Sequence, residues 1–185
     1  MEPIAPLSPA SVDRCLANVR LLVLDVDGVL TEGGIFMDDA GREYKRFDVR
    51  DGHGLKLLQR FGVTVAVITG RTSGVVRERT AELGIAHVYQ GYVAKAPALA
   101  ALLDATGESA EALAVVGDDV VDLPLMVRAG LAVTVADAHP SVRERAHWTT
   151  ANAGGHGAVR EVVDRILRVQ GHEEALLAGY LEPGP

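Results

Sequence analysis

Leu21-Leu22-Val23-Leu24-Asp25-Val26-Asp27-Gly28-Val29-Leu30-Thr31 is an apolar run that stops abruptly on two aspartates and a glycine. The run is short and rich in Leu and Val, the pattern of a strand buried on both faces. In an open α/β sheet, binding and chemistry sit beyond the carboxyl ends of the strands. That rule puts Asp25 and Asp27 at the mouth of a site, carried on a rigid element. The plain alternative is a strand followed by an Asp/Gly turn, since both residues suit turns. The rest of the chain decides between the two.

Upstream, Ser11 to Val19 reads as a short leading helix. Downstream, Ile35-Phe36-Met37 and Glu43 to Phe47 read as two short strands around the turn Asp38-Asp39-Ala40-Gly41. A hairpin inserted there, over about residues 33–49, stands above the carboxyl end of the first strand. A helix then starts at Asp51 and stops at Gly62. Val63 to Ile68 is a second buried strand, ending on Thr69-Gly70-Arg71. Ser73 caps a helix through Leu83. Ala86 to Tyr89 is a weak strand, and Lys95 opens a helix through about Leu103. Ala112 to Val116 is a strand ending on Gly117-Asp118-Asp119. Pro124 suits the first turn of a short helix. Leu131 to Val135 is a further strand, His139-Pro140 opens another helix, and Trp148 falls on a last short strand. Val159, Val162, Val163, Ile166 and Leu167 share one face of a final helix that Gly171 ends. The alternation of strands and helices predicts an α/β fold: a Rossmann-like parallel sheet with helices on both faces. The expected organisation is a single domain over 1–171, followed by a tail, 172–185, docked on a partner or loosely ordered.

The 185 residues carry a formal charge of -7, with no basic face to offset it, which argues against nucleic-acid and anionic-membrane partners. The single Cys15 excludes an internal disulfide and fits a reducing, cytoplasmic location; its place in a helix points to packing. Residues 1–10 lack the basic and apolar regions of a signal peptide, and no stretch is long enough to span a bilayer.

Three strands thus end in polar residues that can converge: Asp25 with Asp27, Thr69, and Asp118 with Asp119. Lys95, at a helix start, adds a cation. Carboxylates gathered at one point repel one another unless something neutralises them. A hard divalent cation does so, and carboxylate oxygens with water suit Mg²⁺. Thr69 and Lys95 can then donate to phosphate oxygens, which makes a phosphoryl-transfer site.

Asp25-Val26-Asp27-Gly28-Val29-Leu30-Thr31, Thr69 with Gly70-Arg71, Lys95, and Gly117-Asp118-Asp119-Val120-Val121-Asp122 resemble, in order and spacing, the four motifs of the haloacid dehalogenase superfamily. The resemblance implies that Asp25 is a nucleophile forming an aspartyl-phosphate. Asp27 would protonate the leaving alcohol and then activate water. Thr69 would hold the phosphoryl group, and Lys95 would neutralise its charge. Mg²⁺ would bind Asp25, the Asp27 backbone carbonyl and Asp118. Asp119 and Asp122 would support the metal or orient Lys95. A carboxylate nucleophile splits a slow hydrolysis into two easier steps.

A narrower resemblance runs from about Leu21 to Gly171. Phe47 to Gly54, Val120 to Pro124, Ala136 to Pro140 and Gly154 to Glu161 are similar to the 3-deoxy-D-manno-octulosonate 8-phosphate (KDO 8-phosphate) phosphatase family. That likeness implies no large cap domain, a sugar-acid phosphate as substrate, a homotetramer in which neighbouring chains cover the sites, and a place in lipopolysaccharide biosynthesis. The hairpin-sized insert and the short stretch from Thr69 to Lys95 leave no room for a large cap. Glu32 departs from the family's usual Asp. Arg71, Arg50 and Arg160 are the candidate substrate-binding residues, with Lys45 near the hairpin; each has solvated surface as its alternative. His53 and His139 have no Cys/His companions and read as helix-start residues.

Three other readings stand beside this one. A 9-phosphorylated nonulosonate of the sialic-acid type would use the same core. A phospho-receiver domain also gathers acids, Thr and Lys, but wants adjacent acids after its first strand and the phosphorylated Asp later. A dead scaffold would not keep every motif residue. No GxxxxGK[ST] is present, so Asp25 is not the acid of a P-loop enzyme.

Overall fold

A computed structural model of the chain describes residues 4–181. Its centre is β1 (Leu21–Leu24), whose four residues are all buried. Leu22 and Leu24 point into one hydrophobic core, and Leu21 and Val23 into a second on the other face. Period-two alternation in an all-apolar strand therefore feeds two cores at once, as a central parallel strand requires.

The main sheet is parallel throughout. It also contains β4 (Thr64–Thr69), β5 (His87–Gln90), β6 (Leu113–Gly117), β7 (Leu131–Thr134) and β8 (Trp148–Thr149), in the order β5-β4-β1-β6-β7-β8. From β1 the chain builds β4 and β5 on one side, then crosses to build β6, β7 and β8 on the other. That reversal opens a crevice above β1 at the carboxyl ends of the strands. Helices α1 (Pro9–Leu16), α2 (Val49–Arg60), α3 (Gly74–Glu82) and α7 (Ala158–Val169) supply residues to the first core; α4 (Ala96–Thr106), α5 (Leu123–Met126) and α6 (Pro140–Arg143) supply the second. A separate antiparallel pair, β2 (Phe36–Met37) and β3 (Glu43–Tyr44), forms the hairpin directly after β1. The fold is the expected one: parallel sheet, helices on both faces, small hairpin, and no large cap among the described residues. No helix among them is long and apolar enough to cross a membrane.

Several boundaries shift for local reasons. α1 begins at Pro9 rather than Ser11, because the Ser8 side chain accepts from the Ser11 amide and Pro suits the first turn. α2 begins at Val49 rather than Asp51, because the Asp48 carboxylate caps it, accepting from the Arg50 amide at 2.8 Å. β3 stops at Tyr44, short of Phe47, which turns in to pack against the first core. The turn is as expected: the Asp38 carboxylate accepts from the amides of Ala40 and Arg42 at 3.0 and 2.8 Å. His139 caps α6 through its ring nitrogen. Cys15 is partly buried and packs on the first core.

The tail begins after Gly171. Within its described part, Glu173–Leu181 forms α8, which docks on this chain itself. His172 stacks on Phe61 with ring centroids 4.5 Å apart, Leu176 packs on the first core, and the Tyr180 hydroxyl lies 3.3 Å from His53 Nε2. Residues 182–185 lie outside the described residues.

α7 lacks a cap of its own, since Gly157 occupies the capping position. Asp51 of α2 supplies one, its Oδ1 accepting from the Arg160 amide at 2.7 Å. Asp51 is 1 % exposed and its Oδ2 has no hydrogen bond. Burial pushes this carboxyl up to about 6 from an ordinary 3.8. A raised carboxyl destabilises the fold where it is ionised, above pH 6, and the penalty is relieved as pH falls toward 4. In saturating Mg²⁺, lowering the pH from 7.5 to 4.5 should therefore improve wild-type stability relative to Asp51→Asn by roughly 2 kcal/mol. Parallel denaturation profiles of the two proteins across that range would show Asp51 to be ionised at no cost.

Candidate active site

β1, β4 and β6 are neighbours in the sheet, so their ends bring Asp25, Thr69 and Asp118 together above its centre. Asp25 is 7 % exposed; its amide donates to the Val116 carbonyl, which anchors the residue to β6 as it leaves the strand. Its Oδ1 accepts from the Val26 amide at 2.7 Å, and its Oδ2 lies 2.9 Å from Lys95 Nζ.

Lys95, at the start of α4, is among the largest fully buried side chains in the protein. Its ammonium sits between Asp25 and Asp122, with Asp122 Oδ1 at 2.6 Å. Burial pulls the Lys95 amine down, but the Asp25 and Asp122 carboxylates together outweigh burial and hold it above its ordinary value. Asp122 spends its Oδ2 on the amides of Asp118 and Asp119, at 3.0 and 3.3 Å. Asp119 is exposed and caps the short 3₁₀ turn Val120–Asp122, its carboxylate accepting from the Val120 amide. This places Asp122 as the residue that orients both Lys95 and the Asp118 loop.

Ligand atoms of Asp25, Asp118 and Asp122 all lie within 4.8 Å of one another. Burial, then the Asp122 charge, pushes the Asp25 carboxyl up to about 6, with Lys95 offsetting part of it. Burial, then the charges of Asp122, Asp25 and Asp119, pushes Asp118 up to about 7. Both shifts express the same fact: these carboxylates do not tolerate one another without added positive charge.

The residues fit a divalent cation. Both oxygens of Asp122 are engaged, whereas Asp118 Oδ1 is buried with no hydrogen-bond partner. A hard oxygen donor without a partner, beside a second carboxylate, is the donor set that Mg²⁺ takes. Gly28 makes room for it: at φ +93° its missing Cβ would stand 2.1 Å from Asp118 Oδ2.

Thr69 is 2 % exposed at the end of β4. Asp27 turns away from the carboxylate cluster toward the hairpin. Its Oδ1 pairs with Lys45, and Arg71 Nε lies 3.7 Å from its Oδ2. Lys45, whose side chain is 1 % exposed, also lies 3.4 Å from Glu43. Glu43 in turn accepts from Arg71 at 2.8 Å and from the Ser73 hydroxyl that caps α3. Lys45 is thus buried against Asp27 rather than solvated. The available signal was alternation: Glu43 and Lys45 share one side of the strand while Tyr44 faces out, half exposed.

Arg71 thus stands at the site, while Arg50 and Arg160 are not brought to it. Arg50 pairs with Asp48 at 2.7 Å and donates to the His156 carbonyl; Arg160 pairs with Asp164 at 2.7 Å. Both line a groove of about 670 Å³ with Asp13, Trp148, Glu161 and Arg165 along α7.

A parallel sheet whose central strand is followed by two aspartates, with Thr, Lys and acidic loops on its neighbours, is the arrangement of a haloacid dehalogenase-like hydrolase. A family model of that description matches residues 79–162. The KDO 8-phosphate phosphatase of Salmonella typhimurium is 48 % identical over 166 residues, covering 90 % of this chain and 88 % of that one. The crystal structure of the KDO 8-phosphate phosphatase of Moraxella catarrhalis, in complex with magnesium ion, phosphate ion and KDO, superposes with a TM-score of 0.91 at 36 % identity, covering 94 % of this chain and 99 % of that one. The cobalt-bound enzyme of Haemophilus influenzae superposes with a TM-score of 0.87 at 39 % identity, covering 91 % and 99 %. The chain belongs to the KDO 8-phosphate phosphatase family and is a phosphoric monoester hydrolase.

The carboxylate cluster predicts a stability effect independent of turnover. Asp118→Asn removes one of the mutually repelling charges. At pH 8 in chelator it should melt about 3 °C or more above wild type, since a raised carboxyl costs most when ionised. The same substitution should abolish the upward shift in melting temperature that Mg²⁺ gives the wild type. A melting temperature below wild type in chelator, or an intact Mg²⁺ shift, would remove Asp118 from the cation site.

Proposed function

We propose that the protein hydrolyses KDO 8-phosphate to KDO and inorganic phosphate, through an aspartyl-phosphate on Asp25 and with Mg²⁺. One observation carries the reading: the cluster of Asp25, Asp118 and Asp122 around Lys95 lies in a chain 48 % identical, over 90 % of its length, to a KDO 8-phosphate phosphatase.

Asp25 attacks phosphorus as the phosphorus–oxygen bond to the sugar breaks. Asp27 gives its proton to the departing alcohol. Asp27 then takes a proton from water, which attacks the same phosphorus and releases the Asp25 carboxylate. Thr69 and Lys95 donate to the phosphoryl oxygens, where negative charge builds up. Asp25, Asp118 and the Asp27 carbonyl would hold Mg²⁺, which would supply the positive charge that lets two anions approach. Asp122 and Asp119 keep Lys95 and the Asp118 loop in place. Lys45 orients Asp27. Arg71, at the foot of the hairpin, is the arginine of this chain placed to meet the substrate; Arg50 and Arg160 take no part within one protomer.

The catalytic domain runs through Gly171, with α8 as an appendage. The assembly is a homotetramer, supported by the hairpin's exposed Ile35, Phe36 and Met37, and the enzyme works in the cytoplasm, in lipopolysaccharide biosynthesis.

Phosphate release from KDO 8-phosphate, a nonulosonate 9-phosphate and simple phosphate esters tests the substrate. KDO 8-phosphate should be turned over best, reversibly silenced by chelating Mg²⁺. A preference for the nonulosonate ester would reassign the substrate, and no preference for either keto-acid sugar would end the reading. Asp25→Asn should retain the fold with activity reduced by about 1,000-fold or more. Activity near wild type would remove Asp25 as nucleophile.

A further inference from the structure

The loop Thr150–Gly157 lies behind the turn that carries Asp25 and Asp27, and the geometry points to Asp137 as a positioning residue that holds this loop, and through it the catalytic turn, in register with the Asp118 loop. Its role in catalysis rests on the proposed function above.

The contacts form a closed circuit. The Asp137 carboxylate accepts from the Gly154 amide at 2.9 Å. Gly154 lies flat against the catalytic turn: a Cβ there would stand 1.7 Å from the Gly28 carbonyl oxygen and 3.2 Å from that of Thr31. The next amide, Gly155, donates to the Val29 carbonyl at 2.9 Å. Gly28 in turn lies beside the Asp118 carboxylate, which a Cβ at that position would meet at 2.1 Å. On its other side, Asp137 is tied to the cation loop, because the His139 amide donates to the Asp118 carbonyl at 2.9 Å. The Ala136 amide closes the circuit by donating to the Asn152 carbonyl at 3.2 Å.

Asp25 and Asp118 reach the site from adjacent strands, and each strand's rigidity ends where its ladder ends. Beyond those ends the separation of the two loops depends on cross-links between them. Asp137 makes such a link with a charged acceptor to a buried amide, a stronger bond than a neutral pair gives. Asp137 itself is exposed and touches none of the catalytic side chains, so no packing explains its carboxylate. Gly154 admits no side chain of its own, so the Asp137 carboxylate supplies the side-chain bond that fixes it, beside the backbone bonds of Gly155 and Ala136.

Asp137→Ala removes the acceptor, and Asp137→Asn retains an oxygen that can take the same amide. Three readouts apply: Mg²⁺ affinity by calorimetry without substrate, kcat and KM on KDO 8-phosphate, and melting temperature in chelator. Asp137→Ala should weaken Mg²⁺ binding and lower kcat by about 10-fold each, at the low end of the range seen when groups behind metal ligands are removed. KM and the melting temperature should stay near wild type, and Asp137→Asn should restore both affinity and kcat. Wild-type Mg²⁺ affinity in Asp137→Ala would overturn the inference. So would equal impairment in Asp137→Asn, or a loss that only follows the melting temperature. The Mg²⁺ readout needs no turnover, so it still decides the matter if wild type fails to hydrolyse KDO 8-phosphate, a result that would count against the substrate alone.

Discussion

The buried ammonium of Lys95 between Asp25 and Asp122 is the interaction on which the rest of the site depends. A lysine head group taken fully out of water costs several kcal/mol unless it is paired and hydrogen-bonded. Here it is paired twice, and one partner is itself fixed by two backbone amides. Truncating either partner of such a pair typically costs about 3–5 kcal/mol, because the remaining charge is stranded. The pair therefore dictates where α4 starts, how the Asp118 loop turns and which way the Asp25 carboxylate faces. It does not neutralise the site. Asp25, Asp118 and Asp122 against Lys95 leave an excess of negative charge, and Asp118 keeps an unpartnered oxygen. The excess makes the cluster a cation site, and a cation then makes it a phosphate site.

The second acid of the opening stretch is separated from the first by its surroundings. Asp25 and Asp27 are two residues apart, yet Asp25 belongs to the buried cluster and Asp27 to the hairpin network of Lys45, Glu43 and Arg71. In the proposed reaction the first carboxylate meets phosphorus and the second meets the oxygen that leaves. The hairpin is thus more than a cover. It carries the charges that face Asp27, and it is clamped to the sheet through Glu43 and the α3 cap at Ser73.

Most of this was legible in the sequence where local chemistry is strong. The Leu and Val runs marked the strands, the residues after them marked the sheet's active edge, and Ser73, Gly62 and Pro124 marked helix ends. The link between Lys95 and Asp122 was legible only as a pair of alternatives for Asp122, since nothing local says which atom a buried carboxylate will face. Lys45, Arg50 and Arg160 are not told apart by their local sequence. All are long cations near turns, and whether one is buried against Asp27 or spread along a groove depends on tertiary packing. The contacts of the tail with Phe61 and His53 left no local signal, since they join positions distant in sequence. Asp137 and Gly154 lie in two of the stretches that carry the family resemblance, but nothing local showed that they bond to each other.

A crystal structure of the protein with Mg²⁺ and beryllium fluoride, an analogue of an aspartyl-bound phosphoryl group, tests the central claim most directly. The account predicts the fluoride adduct on the Asp25 carboxylate, the cation between Asp25 and Asp118, and Lys95 still paired with Asp122. An adduct on any other residue, or a cation bound away from Asp118, would contradict it.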